Sequence, residues 1–285
     1  MSIEIKQVSR RFGDTLALDH VTLTLSENRI YGLLGNNGAG KSTLLGILTD
    51  RLPATEGQVL VDGEPVRGND RALGKLFLMG EQNLFPDEMK VRRAFAVAAD
   101  FYPGFDRPYA EKLCGLFGLP LKKKITSLST GYASIFRLVL GLSVNAPYLF
   151  FDEPVLGLDA QHRDLFYRLL VEKYAEQPCT VVISTHLIAE VASLIEETII
   201  IRDGRILQVA PTEQLLADAY TVSGPAGAVD AFLSGKHVLS HSALGGLKTA
   251  SIQGPVPQAL PEGLELGKLN LQDYFIHLME EEDRK

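Results

Sequence analysis

The sequence of 285 residues has few cysteines, no long apolar run and no excess of positive charge, and each shortage excludes a class of protein. Cys114 and Cys179 belong to neither a CxxC pair nor a Cys/His cluster, which argues against a zinc site or disulfide framework and favours a reducing cytosol. The strongest apolar stretches, such as 148–151, fall far short of the about 20 residues that a membrane-spanning helix needs. With 28 basic and 35 acidic residues, the net charge of −7 makes nucleic acid an improbable partner.

Other features indicate a folded protein that begins without a targeting segment. Hydrophobic residues make up 46% and charged residues 22% of the chain, as in globular proteins. The first six residues carry charge where a signal peptide needs an apolar core. The two cysteines are therefore expected to be small buried apolar residues in a cytosolic protein.

The order of apolar patterns predicts an α/β fold. Two alternating segments, 3–8 and 18–25, flank a turn-like segment at 10–14 and predict an antiparallel β start. Strands at 148–151, 179–184 and 197–201 alternate with helices at 160–175 and 187–196, which is typical of a mixed sheet with parallel strands and helices on its faces. A mostly helical insertion, broken at 102–104 and 118–120, occupies about 83–145.

The sequence pattern changes near residue 219, after which weak strand patterns are mixed with many glycines and several prolines. We expect one domain over 1–218 and a small C-terminal α+β domain over 219–285. The latter ends in an amphipathic helix over 270–279, with Asn270 as its N-cap. Its role is open between a dimerisation or packing element, which we favour, and a regulatory ligand-binding domain.

A glycine-rich loop follows a short apolar strand at 29–34. Residues 35–42 match the pattern G-x-x-x-x-G-K-[ST], with a strand before and a helix after them. Backbone N–H groups of such a loop surround phosphate oxygens, Lys41 reaches the β- and γ-phosphates, and the Ser42 hydroxyl ligates Mg²⁺. The loop predicts a nucleoside triphosphate site, and GTPases, kinases and ATPases share it.

Carboxylates and a histidine are expected at the same edge of the sheet. The strand at 148–151 runs directly into Asp152 and Glu153, and a strand of a parallel sheet delivers its end to the ligand crevice. Asp152 can hold the Mg²⁺ shell, and Glu153 can polarise the attacking water. His186 ends the next strand and could contact the γ-phosphate. Ser129 opens a long helix, where its hydroxyl and the free N–H groups could bind an anion; taken alone, this segment fits an ordinary serine N-cap without a ligand better.

These pieces, in this order, resemble the nucleotide-binding subunit of ABC transporters over about residues 2–210. Residues 35–42 look like the Walker A motif, and 148–153 look like Walker B with the catalytic glutamate. Residues 128–132, which read LSTGY, stand where the family signature LSGGQ stands. The resemblance makes 1–218 an ABC-type ATP-binding domain on a P-loop NTPase core.

The resemblance also implies the members of the site. Glu153 and His186 are the implied catalytic residues, and Ser42, Gln82 and Asp152 the implied Mg²⁺ ligands. In the loop called the Q-loop, Glu81 is an alternative to Gln82. The implied nucleotide-binding residues, with Phe12 stacking on adenine, are Phe12, Gly35, Asn36, Asn37, Gly38, Ala39, Gly40, Lys41, Ser42, Thr43, Gln82, Ser129, Gly131, Asp152 and Asp159.

The signature departs from the family pattern at two positions. Thr130 replaces a glycine and Tyr132 replaces a glutamine, whereas Ser129 and Gly131 remain. We therefore expect a working but weakened signature. The sequence around it is similar to a bacterial group of single-domain exporter ATPases.

The resemblance to the family implies a complex of several subunits. Two ATP-binding subunits, identical or different, would close head to tail around ATP and drive a separate transmembrane permease, docked near 82–97. That arrangement predicts a peripheral protein at the cytoplasmic face of the cell membrane. The alternative function is that of a soluble ABC-type ATPase without a transporter.

Overall fold

The computed structural model describes residues 1–80, 82, 84–86 and 88–283. These residues form two compact units. The first comprises Met1–His186 and Ile199–Gln208, and the second begins with Leu187–Thr198 and continues from Val209. The strands are β1 Ser2–Phe12, β2 Thr15–Ser26, β3 Ile30–Leu34, β4 Glu56–Val61, β5 Glu64–Pro65, β6 Leu76–Met79, β7 Tyr148–Asp152, β8 Thr180–Thr185, β9 Glu197–Arg202, β10 Arg205–Pro211, β11 Ala219–Pro225, β12 His237–Leu244, β13 Leu247–Gln253 and β14 Glu265–Lys268.

The helices follow the same order. They are α1 Lys41–Leu48, α2 Asp70–Leu73, α3 Val91–Phe101, α4 Arg107–Leu116, α5 Thr130–Ser143, α6 Ala160–Glu176, α7 Ile188–Val191, α8 Thr212–Ala217, α9 Ala226–Leu233 and α10 Leu271–Asp283.

The predicted antiparallel start is a four-stranded sheet in the order β2-β1-β4-β5. The β1–β2 hairpin is longer than the sequence indicated, because residues 10–12, expected in a turn, still pair with β2 and leave only Gly13 and Asp14 to reverse the chain. Ile3 and Ile5 alternate with polar residues along β1 and are buried in the same core as Leu23 and Leu25 of β2.

The central sheet has six strands in the order β10-β9-β3-β8-β7-β6. Its strands β3, β8, β7 and β6 are parallel. Residues of β3 and β8 are buried throughout, as expected for strands covered on both faces. Because β8 lies between β3 and β7, the ends of these three strands meet at one edge of the sheet, which confirms the α/β fold that the sequence predicted.

The helical insertion is built from α3, α4 and α5. The breaks predicted at 102–104 and 118–120 are confirmed, since α3 ends at Phe101 and α4 at Leu116. Asp106 caps α4 by accepting a hydrogen bond from the Tyr109 N–H at 2.8 Å. Aromatic side chains form the interior of the helical insertion, where Phe95 stacks on Phe136 with ring centroids 5.9 Å apart.

The helix expected over 187–196 is shorter than predicted. Only Ile188–Val191 is α-helical, and the Leu194 N–H then closes a turn on the Val191 carbonyl. The chain has to turn here because β9 begins at Glu197, three residues after Leu194. Apolar spacing alone does not distinguish such a turn from a continued helix.

The second unit contains a four-stranded antiparallel sheet in the order β12-β13-β11-β14. Its core includes Tyr220 and Val222 of β11, Ile252 of β13 and Val229 of α9. The terminal helix α10 begins as predicted, with the Asn270 side chain accepting a hydrogen bond from the Asp273 N–H at 2.9 Å.

Candidate functional site

The glycine-rich loop connects β3 to α1, and its conformation requires glycine at defined places. Gly38 and Gly40 have φ of +82° and +106°, in the left-handed region that other residues avoid. A Cβ on Gly40 would lie 2.8 Å from the carbonyl oxygen of Ala17, and one on Gly35 would lie 2.4 Å from that of Ile201. The loop is therefore tightly packed on one side. Asn36, Asn37 and Gly38 are exposed on the other.

Lys41 is the first residue of α1, and its side chain turns back over the loop. The ammonium donates to the carbonyl oxygens of Gly35 at 2.7 Å and Asn36 at 3.2 Å. Burial lowers the pKa of Lys41, and the nearby carboxylates of Glu153 and Asp152 raise it in part. The predicted phosphate-binding lysine and both carboxylates thus lie close enough to interact. Ser42 and Thr43 follow in the same helical turn.

Asp152 ends β7 and is held by the neighbouring strand. The buried Ser184 hydroxyl of β8 donates to its Oδ1 at 2.9 Å. One carboxylate oxygen is fixed in this way, and no hydrogen bond to the other occurs within the part of the chain that the structure describes. Ser184 was not predicted as part of the site, although a polar residue inside the apolar run of β8 was the available signal.

Glu153 leaves the sheet in a strained conformation, with φ of 45°. Its N–H donates to the Ser184 carbonyl at 2.8 Å, which anchors the turn. Its carboxylate Oε2 lies 2.9 Å from His186 Nδ1 and 3.4 Å from the Thr185 hydroxyl, which donates to it. The Glu153 side chain is 15% exposed and that of His186 is 44% exposed. The Glu153 carboxylate and the His186 ring therefore meet at the edge of the sheet where the sequence predicted both, and Thr185 is a second neighbour that was not predicted.

The signature segment lies at the start of α5. Ser129 is the N-cap, accepting a hydrogen bond from the Tyr132 N–H at 3.4 Å. The segment packs on the loop after Glu153, since a Cβ on Gly131 would lie 3.3 Å from the Gly157 carbonyl oxygen. Among the described residues, no hydrogen bond joins Ser129 or Gly131 to the phosphate loop.

Asp159 caps α6. Its carboxylate accepts the His162 N–H at 2.9 Å, and the His162 Nδ1 lies 2.8 Å from its other oxygen. These two hydrogen bonds, the backbone one most strongly, lower the pKa of the Asp159 carboxyl.

Phe12 lies at the end of β1, next to the hairpin turn. The residue is 43% exposed, and the Arg10 guanidinium lies 4.4 Å from the centroid of its ring. An aromatic surface is thus available, as stacking on adenine would need.

Gln82 is exposed and lines a cavity of about 330 Å³, whereas its alternative Glu81 lies outside the described residues. The cavity wall is mostly apolar, with the Arg51 guanidinium donating to the Leu78 carbonyl oxygen at 2.7 Å beside it. Sequence analysis did not foresee this cavity, because its wall is assembled from β6, α3 and α5. Its aromatic members are Phe77, Phe85, Phe101, Tyr102 and Phe136.

Two features of the described chain bear on metals and membranes. It holds no cluster of three or more His, Cys, Asp or Glu side chains suited to a metal ion. None of its helices combines the length and the apolar character that crossing a bilayer demands.

Comparisons with known proteins extend these observations. Residues 18–156 match the family model described as ABC transporter. The chain is 29% identical over 213 residues to the ABC transporter ATP-binding protein YtrB of Bacillus subtilis, covering 75% of this chain and 73% of that protein. It is 27% identical to the ribose import ATP-binding protein RbsA 2 of Rhizobium meliloti, covering 76% of this chain. It is 28% identical to the Nod factor export ATP-binding protein I of Sinorhizobium fredii, covering 79% of this chain and 68% of that protein.

The extent of these matches differs. The chain spans only 44% of the ribose import protein. Among solved structures, a dimeric ATP-binding cassette bound to ADP and Pi superposes with a TM-score of 0.64 at 24% identity, covering 74% of this chain and 98% of that one. This structural similarity shows the fold that the two chains share. The match to the family model shows that residues 18–156 form an ABC transporter domain, and with the named ATP-binding relatives it supports an ATPase activity for this chain.

Proposed function

We propose that this chain is the ATP-hydrolysing subunit of an ABC exporter and powers a separate membrane subunit. The observation that carries the proposal is the contact between Glu153 and His186, formed at the sheet edge where Lys41 also lies. A phosphate-binding lysine, a carboxylate base and a histidine are the groups that hydrolysis of a γ-phosphate needs.

Magnesium fits the oxygen groups that this edge offers. Mg²⁺ prefers oxygen ligands and, in nucleotide sites, is held by one or two protein groups together with phosphates and water. The Ser42 hydroxyl and the second carboxylate oxygen of Asp152 are such groups, and a site of this kind needs no cluster of three carboxylates. We assign Ser42, Asp152 and Gln82 as the residues that would hold the ion, which neutralises charge on the phosphates when bound.

The loop and strand ends would then share the work of hydrolysis. Backbone N–H groups of 35–42 bind phosphate oxygens, and Lys41 exchanges its two loop carbonyls for the β- and γ-phosphates. Glu153 orients the attacking water and polarises it. His186, already against Glu153, contacts the γ-phosphate and keeps this carboxylate in place. Phe12 stacks on the adenine ring.

The signature residues would act on the ATP held by a second subunit. Within one chain Gly131 packs against Gly157, and neither Ser129 nor Gly131 makes a hydrogen bond to the described phosphate loop. A head-to-tail dimer would bring Ser129, Gly131 and Asp159 of one subunit to the nucleotide of the other, and the related cassette bound to ADP and Pi is itself dimeric. A homodimer and a heterodimer both satisfy this geometry.

The apolar cavity beside Gln82 is a suitable docking place for the membrane subunit. Its wall includes Leu84, which is 63% exposed, and the aromatic residues of 77–102. Such a surface fits an apolar segment of a permease at the cytoplasmic face of the membrane.

Export agrees with the resemblance of the LSTGY region to exporter ATPases, although named relatives include both import and export proteins. We assign 219–285 as a packing or dimerisation element and 1–218 as the ATPase domain.

The partner proposal is tested by coexpression with the membrane protein encoded by an adjacent gene, followed by purification in detergent. We expect the complex to survive purification and its ATPase activity to exceed that of the chain alone. Leu84→Arg should prevent assembly without loss of basal activity. Leu244→Arg, at an 86% exposed position of β12, should leave assembly intact. A chain that hydrolyses ATP but binds no membrane subunit would favour the soluble ATPase instead.

A further inference from the structure

The signature segment of this chain is packed against the loop that leads from Glu153 to α6. The Ser134 hydroxyl of α5 donates to the Leu156 carbonyl at 3.1 Å. The Thr130 methyl lies 3.6 Å from the place that a Cβ on Gly157 would take. Segments 129–132 and 156–159, which the proposed dimer would present together to a partner's nucleotide, therefore touch each other within one subunit.

A second link between these segments passes through the end of α4. The Tyr132 hydroxyl of the signature lies 3.7 Å from the place of a Cβ on Gly118, whose φ is +65°. The preceding residue, Phe117, is buried, and its ring stacks on that of His162 with centroids 6.0 Å apart and an interplanar angle of 18°. The first turns of α5 and α6 thus both contact residues 117–118.

His162 completes this link by binding Asp159. Its ring Nδ1 lies 2.8 Å from one carboxylate oxygen, while its backbone N–H donates to the other at 2.9 Å. The Asp159 side chain is 66% exposed, and without the ring its carboxylate would keep only its bonds to backbone N–H groups of α6. A histidine at this position makes two interactions at once. Its ring stacks on an aromatic face, and its Nδ1–H donates a hydrogen bond to a carboxylate.

We propose that His162 is a positioning residue, which fixes Asp159 relative to the signature segment through the Phe117 ring. The inference rests on the proposed function, in which both segments face the ATP of the partner subunit. Catalysis depends on placement, and a displacement of about 1 Å far from the reacting atoms can lower the rate by up to about 100-fold. His162 acts through Asp159 and touches no substrate itself.

Three variants of the full-length chain separate the two contacts. His162→Phe keeps the stacking and loses the bond to Asp159, His162→Asn keeps a donor near the position of Nδ1 and loses the ring, and His162→Ala loses both. We expect kcat to fall about tenfold in the alanine variant and about threefold in each of the others. KM for MgATP should stay within about twofold, because Lys41 and the phosphate loop are untouched.

A matched control is available in the same unit. His20 on β2 also faces an aspartate, with its Nδ1 2.5 Å from Asp19 Oδ1, but it lies outside both segments. His20→Asn should change neither kcat nor KM, and asparagine suits its left-handed φ of 49°. The inference is overturned if His162→Ala keeps kcat within about twofold of the parent, or if KM rises as much as kcat falls.

Amide hydrogen exchange separates failure of this inference from failure of the proposed function. It needs no hydrolysis, so it can be measured even if the parent chain proves inactive. We expect His162→Ala to accelerate exchange about tenfold in residues 156–163 while sparing β1 and β2. If exchange in 156–163 is unchanged, His162 does not fix this loop, whatever the ATPase activity of the chain.

Discussion

The Nζ of Lys41 lies 2.7 Å from the carbonyl oxygen of Gly35, so the ammonium is bound by the same phosphate loop, 35–42, to which Lys41 belongs. It is buried there, and burial lowers its pKa against the opposing effect of Glu153 and Asp152. A buried ammonium that donates to two carbonyl oxygens is a strong site for an anion, because phosphate oxygens can replace those carbonyls with charge-assisted bonds. This pair of atoms links the local fold of the loop to nucleotide binding.

Replacing Lys41 by alanine should therefore abolish most nucleotide affinity. We expect the Kd for MgATP to rise about 100-fold, the equivalent of losing one or two charge-assisted hydrogen bonds. Fluorescence titration with an ATP analogue measures it. Lys75→Ala is the control, because Lys75 pairs with Asp62 at 2.6 Å, outside the phosphate loop and strand ends that form the site. Tight ATP binding by the Lys41 variant would contradict the role given to this residue.

Glu153→Gln should stop hydrolysis and spare binding. The amide keeps the shape of the side chain but is no base, so kcat should fall at least about 100-fold while the Kd for MgATP stays within about threefold. Nucleotide then accumulates unhydrolysed, and size-exclusion chromatography should show an ATP-dependent dimer. Glu64→Gln, on the surface beside Arg71, serves as the control. Unchanged turnover in the Glu153 variant would remove the residue from the mechanism.

Much of the fold and site could be predicted because the informative residues are contiguous. The phosphate loop, the end of β7 and His186 each follow an apolar strand, and parallel strands bring their ends to one edge. By contrast, the Ser184 bond to Asp152 and the stacking of Phe117 on His162 join residues 32 and 45 positions apart, which no local pattern shows. The roles of the site residues in binding and hydrolysis, including those of Phe12 and Gln82, stay predictions.

The two cysteines should be unreactive in the folded chain. Both are buried, as the sequence suggested, and burial raises the pKa of the Cys114 thiol to about 12 and also raises that of Cys179. Because only the thiolate reacts, and because a raised pKa keeps the thiol protonated at neutral and mildly alkaline pH, we expect slow labelling by a disulfide reagent from pH 7 to pH 9. Two equivalents should react at once in denaturant. Rapid labelling of the native protein would contradict the burial of these side chains.

Gly40 should tolerate no side chain, for two reasons that a pair of variants can separate. Its φ of +106° strains any other residue, and a Cβ would meet the Ala17 carbonyl oxygen at 2.8 Å. Gly63 also has a left-handed φ, +81°, but a Cβ there would meet nothing within 4 Å. Gly63→Ala should cost about 1 kcal/mol of unfolding free energy, the strain alone, whereas Gly40→Ala should cost about 2–4 kcal/mol and weaken ATP binding, since the loop must move away from β2. Denaturant titration measures both, and equal losses would mean that contact with Ala17 does not shape the phosphate loop.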